Sequence, residues 1–266
     1  MPYSRRYNDS STSNSQPSTM PNAQRFESLL PLAPLRSSVA LAVALGALGT
    51  AGLGLIAASW IDAGPAYLVK SLGIFAVAAT LVVGLVGPHH PFPRFGPANH
   101  VTLVRVALVS IAAGLVGEPR SARVTWLAVA ATITVVVLDG LDGWLARRSR
   151  VSSAFGARFD METDALLILV LSVLVWQHGK AGAWILACGL MRYAFVACGW
   201  LLPWMAGPLR STVRGKAVAI GQLVGLGAVL SPLVPAPQSA VVAAATLAML
   251  AWSFAVDIMW LYRSSR

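Results

Sequence analysis

Charge is scarce in this sequence. Only 11% of its 266 residues are Asp, Glu, Lys or Arg and 56% are hydrophobic, whereas an ordinary soluble domain carries roughly 25% charge. Water is therefore excluded as the chain's only solvent. Cysteine is scarcer still: Cys188 and Cys198 sit in one apolar segment, giving neither a disulfide framework nor the paired spacing of a metal site. They read as packing residues. Acidic residues number ten against twenty Lys and Arg, a net charge of +10. The arginines lie in short loops between apolar runs rather than on one face of a soluble module, so nucleic acid is not the expected partner. The N-terminal stretch is not expected to be a secretory signal, because the first long apolar run begins near Ser38 and already has spanning length.

What is there is a series of apolar runs, each long enough for a helix of 1.5 Å rise per residue to cross a hydrocarbon layer of about 30 Å. Eight are expected, at about 38–60, 66–87, 100–117, 124–145, 157–177, 181–205, 215–234 and 239–262. Breakers separate them, among them Gly64-Pro65, the stretch from Pro88 to Pro97, Glu118-Pro119 and Gly207-Pro208. Residues 1 to about 36 are rich in Ser, Asn, Pro and Gln and read as a disordered tail. Eight spans put both termini on one side. That side holds fourteen of the twenty Lys and Arg against four, Lys70, Arg120, Arg123 and Lys180, on the other. The positive-inside rule then makes both termini cytoplasmic. Glycines spaced as Gly46, Gly49, Gly52 and Gly221, Gly225 permit close helix contact, within one chain or in a homodimer.

In such a chain the carboxylates carry the information, since an acid at bilayer depth costs about 2.5–3.5 kcal/mol even on lenient scales. Five of the ten fall between Asp139 and Asp164. Asp139 and Asp142 stand i, i+3 at the end of the fourth span; Asp160 and Asp164 stand i, i+4 at the start of the fifth. Joined by a short loop, these spans should pack antiparallel as neighbours and bring the four carboxylates to one depth. Such a group repels itself unless cations sit within it, and an all-oxygen donor set suits Mg²⁺ or Mn²⁺. Gly143 and Gly156 would let a phosphate or sugar approach the backbone, and the planar fork of Arg147 suits phosphate. Spacing alone also admits a divalent-cation transporter using the cluster as a path, or structural pairing of the acids with Arg147, Arg148 or Arg158.

The same residues resemble a known family. The CDP-alcohol phosphotransferases carry D-x2-D-G-x2-A-R-x8-G-x3-D-x3-D, and Asp139, Asp142, Gly143, Ala146, Arg147, Gly156, Asp160 and Asp164 match it at every fixed position and spacing. At residue frequencies near ~5% this agreement arises by chance on the order of 10⁻¹¹ per start site. The resemblance implies an all-α integral-membrane fold, with a six-helix catalytic core at 97–266 and two added N-terminal helices within 37–96, after the tail 1–36. Asn99, Thr102 and Arg105 look like the polar residues that open the family's first span.

It further implies that Asp139, Asp142, Asp160 and Asp164 hold two divalent ions, and that Asp142, Gly143, Ala146, Arg147 and Gly156 line the CDP site. Asp164 would also be the general base. The reaction implied moves a substituted phosphate, a phosphatidyl group if the donor is CDP-diacylglycerol, to an acceptor alcohol and releases CMP. Its setting would be phospholipid synthesis at a bacterial plasma membrane, with the site facing the cytoplasm and open to lipid. For a phosphorylated acceptor, Arg192 and the loop residues Arg210, Arg214 and Lys216 are the candidates, although positive-inside bias alone also accounts for the loop. The rivals are a divalent-cation transporter and a non-catalytic membrane scaffold that keeps the fold.

Overall fold

The structure, a computed structural model, describes residues 32–89, 94–149, 153–205, 207 and 212–264; of 32–34, 87–89, 142–149 and 154 it describes the backbone alone. Eight α-helices, and no strand among the described residues, fall where eight spans are expected: α1 Leu32–Ile61, α2 Pro65–His89, α3 Pro97–Gly114, α4 Ala122–Ser149, α5 Ala154–Gln177, α6 Leu186–Leu201, α7 Val213–Leu230 and α8 Gln238–Ser264. Helix α1 begins several residues before the expected end of the tail, and residues 1–31 lie outside the described residues.

Length and composition suit six of the eight for crossing a membrane, namely α1, α2, α4, α6 (with the 3₁₀ turn before it), α7 and α8. The other two, α3 and α5, carry Arg105 and the run Arg158, Asp160, Glu162, Asp164. Leu41, Leu45, Leu48 and Ile56 of α1 are more than half exposed. A face of that kind is unfavourable in water and unremarkable against lipid. The chain is an integral membrane protein.

Helix α3 sits at the centre, packed against α1, α2, α4 and α5, while α7 closes the other side against α4, α5 and α8. Its start is set locally: Gly96 takes φ 84°, a left-handed conformation that glycine adopts without strain, and Pro97 occupies the first turn. Ser153 and Thr212 cap α5 and α7, accepting bonds from the N–H groups of Gly156 at 3.0 Å and Gly215 at 3.1 Å. One apolar core, around Val109, Leu167, Leu171, Leu226 and Leu230, fills the bundle from α3 to α8; a second, around Phe75, Val82, Phe95 and Phe155, joins α1 and α2 to it.

At the end remote from the acidic motif, polar clamps tie helix ends together. Lys70 donates to the Val116 carbonyl and to Glu118, both at 2.7 Å. Lys180 donates to the carbonyls of Ser231 at 2.9 Å and Val234 at 2.6 Å, just past the C-terminus of α7. Arg123 reaches Asp62 at 2.6 Å. Three of the four basic residues assigned to this side are thus occupied within the fold.

Small residues let the helices close. A Cβ on Gly46 would lie 2.7 Å from Phe75 and one on Gly225 2.3 Å from Thr246, whereas Gly49 and Gly52 face open space. The tightest junction between the N-terminal pair and the rest is Gly114, where a Cβ would stand 2.1 Å from Ser71 Oγ and 2.9 Å from Tyr67. Ser71 and Tyr67 are fully buried, and the Tyr67 hydroxyl donates to the Ile111 carbonyl at 3.2 Å. Gly114→Val is expected to cost about 1–3 kcal/mol by overpacking. Thermal unfolding of the full chain in detergent checks it; an unchanged midpoint would show α2 to be loosely held.

Candidate functional site

Asp139 stands near the C-terminal end of α4 and Asp160 and Asp164 in the first turns of α5, on one face of that helix. One carboxylate oxygen from each lies within 4.8 Å of the others. Two unit charges at that distance repel by about 3 kcal/mol at an effective dielectric near 20, so the group needs a counter-charge. Arg105 of α3 provides one. Its side chain is completely buried; Nη1 lies 3.1 Å from Asp139 and also pairs with Asp160, while Nη2 pairs with Asp164.

Three of the four expected carboxylates converge, though not by the route expected. Among the described residues α4 and α5 are not extensive neighbours; each packs on α3 and on α7 instead. At the acids the two helices are joined through α3, whose Arg105 pairs with Asp139 of α4 and with Asp160 and Asp164 of α5.

Helix α4 continues through Asp142, Gly143, Ala146 and Arg147, whose side chains lie outside the described residues. Gly156 is closely approached, but by protein: a Cβ there would be 2.8 Å from Asn99 Oδ1 and 3.4 Å from Ser153 Oγ. Asn99 is itself buried and donates to the Phe95 carbonyl. The glycine thus keeps the start of α5 against the start of α3, which fixes Asp160 one turn further on.

Of the basic residues expected to meet an acceptor, Arg192 of α6 pairs with Glu162 rather than with a motif carboxylate. Arg214, in the first turn of α7, pairs with Asp257 of α8 and lies over the Trp252 ring at 5.7 Å. Lys216 lies one turn into α7. Arg210 lies outside the described residues. The acids that hold Arg192 and Arg214 carry no signal in the sequence beyond being charged, since their partners are distant in the chain.

The donor set fits hard divalent ions. It is all oxygen, and the carboxylates of Asp139, Asp160 and Asp164 are 25%, 37% and 18% exposed, so an ion can reach acids whose arginine is sealed behind them. The sequence model of the family described as CDP-alcohol phosphatidyltransferase matches residues 96–257, the whole of this region. The chain belongs to that family. A CDP-alcohol phosphatidyltransferase is a transferase, with a CDP-alcohol as donor and an alcohol as acceptor.

Curated relatives of the same family agree. The CDP-diacylglycerol–glycerol-3-phosphate 3-phosphatidyltransferases of Escherichia coli (strain K12), Escherichia coli O157:H7 and Shigella flexneri serotype 5b are each 33% identical over 141 residues, covering 50% of this chain and 75% of theirs. No solved structure matches the chain. The family match begins at residue 96, one residue before α3, so α1 and α2 stand outside it.

Proposed function

We propose that this phosphatidyltransferase takes CDP-diacylglycerol as donor and a phosphorylated alcohol, glycerol 3-phosphate in the first instance, as acceptor. The observation that carries the reading is the convergence of Asp139, Asp160 and Asp164 in one cluster inside the family pattern; the relatives named for glycerol 3-phosphate support the acceptor.

Asp139, Asp142, Asp160 and Asp164 hold two divalent ions, Mg²⁺ or Mn²⁺. When bound, the ions neutralise pyrophosphate charge and the charge of the leaving CMP. The protein's own residues do the rest. Asp142, Gly143, Ala146, Arg147 and Gly156 line the CDP site. Asp164 accepts the proton of the acceptor hydroxyl as its oxygen forms a bond to the β-phosphorus, and the bond from that phosphorus to the bridging oxygen breaks as CMP departs. Arg192, Arg210, Arg214 and Lys216 attract the acceptor's phosphate.

The catalytic domain is 97–266 and α1–α2 an added hairpin, after a cytoplasmic tail. The excess of Lys and Arg on one side supports a cytoplasmic position for both termini and the site, and the bacterial relatives support a plasma membrane, where a polar nucleotide and a lipid tail can be met together. A transporter would need acids spread through the depth of the membrane, whereas Asp139, Asp160 and Asp164 gather in one cluster, with ligand oxygens within 4.8 Å of one another.

The test is CMP release by the purified full chain in lipid micelles with CDP-diacylglycerol and Mg²⁺, offering glycerol 3-phosphate, inositol phosphate, inositol and serine in turn. Release with a phosphorylated acceptor, abolished by EDTA and restored by Mg²⁺, is the expected result. Release with inositol or serine alone would overturn the acceptor class, and release that survives EDTA would overturn the metal assignment.

A further inference from the structure

Arg105 is in the wrong place for a residue of a membrane helix, and its surroundings show why it is there. It is the largest of the fully buried side chains, yet it neither reaches solvent nor faces lipid. Its fork meets three carboxylates on two other helices, Asp139 of α4 and Asp160 and Asp164 of α5. These helices do not pack extensively on each other, so the guanidinium is the described charge that joins them.

A cation in that position has two consequences with opposite signs. Without divalent ions it offsets acids that would otherwise repel, and so holds the ligands near their working spacing. With divalent ions present it is a positive charge beside them and weakens their binding. We infer that Arg105 is a built-in counter-ion of the carboxylate cluster: a positioning residue that assembles the ligands before metal arrives and keeps metal affinity below what the same acids alone would give. The inference rests on the metal assignment proposed above. It concerns the chain's own side chain, and a lysine in its place would keep the charge without the two-nitrogen fork.

Binding of Mn²⁺ to the purified full chain, followed by the electron-spin signal of the free ion, together with thermal unfolding in EDTA and in Mg²⁺, tests this for the natural chain, Arg105→Gln and Arg105→Lys. Arg105→Gln is expected to bind Mn²⁺ about tenfold more tightly, to unfold at a lower temperature in EDTA, and to recover most of that loss in Mg²⁺. Arg105→Lys is expected to keep the natural Mn²⁺ affinity while losing part of the stability in EDTA.

Unchanged or weaker Mn²⁺ binding by Arg105→Gln, or a stability loss equal with and without Mg²⁺, would make Arg105 an ordinary packing residue and overturn the inference. Failure of the natural chain to bind Mn²⁺ would instead overturn the metal assignment, which separates the two readings. If Arg105→Gln does not fold in EDTA, purification in Mg²⁺ followed by Mn²⁺ exchange still reads the affinity.

Discussion

Asp164→Asn is expected to lower CMP release by about 10³-fold or more while leaving the chain folded. The substitution keeps the shape of the side chain and a carbonyl oxygen for Arg105, so the link between α3 and α5 survives. What is lost is the negative charge and the site for a proton. General-base catalysis is worth about 10²–10⁴-fold, and a weakened divalent site adds to that. The two contributions separate on titration with Mn²⁺: rate lost through metal binding returns at high ion concentration, whereas rate lost with the base does not. A variant that keeps more than a tenth of the natural rate in saturating Mn²⁺ would remove Asp164 from the base role and leave it a ligand.

The second large effect is expected at a position with no chemistry of its own. Gly189 of α6 lies against the backbone of α5, where a Cβ would be 2.5 Å from the Leu169 Cα and 2.6 Å from Leu169 Cδ1. A flexible side chain could swing aside; a Cα in mid-helix cannot. Gly189→Val therefore forces α6 away from α5, at a cost of about 3 kcal/mol or more, the upper end of overpacking penalties. Because α6 also carries Arg192 to its partner Glu162 on α5, the displacement should raise the KM for a phosphorylated acceptor as well as lower the unfolding temperature. Both readouts are available on one preparation, and a natural unfolding midpoint would show that the two helices are not in firm contact at Gly189.

Much of this was legible in the chain because hydropathy reports on solvent directly. Eight runs bounded by Gly and Pro became eight helices, and acids that had no reason to lie in apolar runs marked the site. What hydropathy does not encode is which distant residue answers a buried charge. The family resemblance marks Arg105 as a polar residue of the first core span, but not what it meets, since its partners lie 34 to 59 positions further along the sequence and only the fold brings them to it. The same holds for Asp257, whose partner in the bundle is Arg214, 43 positions earlier in the chain, rather than its near neighbour Arg263. Adjacency of α4 and α5 failed for a related reason. A short connection favours neighbouring helices, but it says nothing of a third element whose charge joins them.

The ion pairs between α3 and α5 also bear on how the chain enters a membrane. Each uncompensated Arg or Asp near the middle of a span opposes insertion by about 2.5–3.5 kcal/mol, and α3 and α5 are the two helices that fall short of spanning composition. When α3 emerges from the ribosome it carries Arg105 alone; Asp139 follows 34 residues later, and Asp160 and Asp164 more than fifty. Neither helix is well suited to settle in lipid by itself, and each is the other's remedy. Biogenesis is therefore not a march of eight independent insertions. The charge of Arg105 is answered in full only when both α4 and α5 stand beside α3.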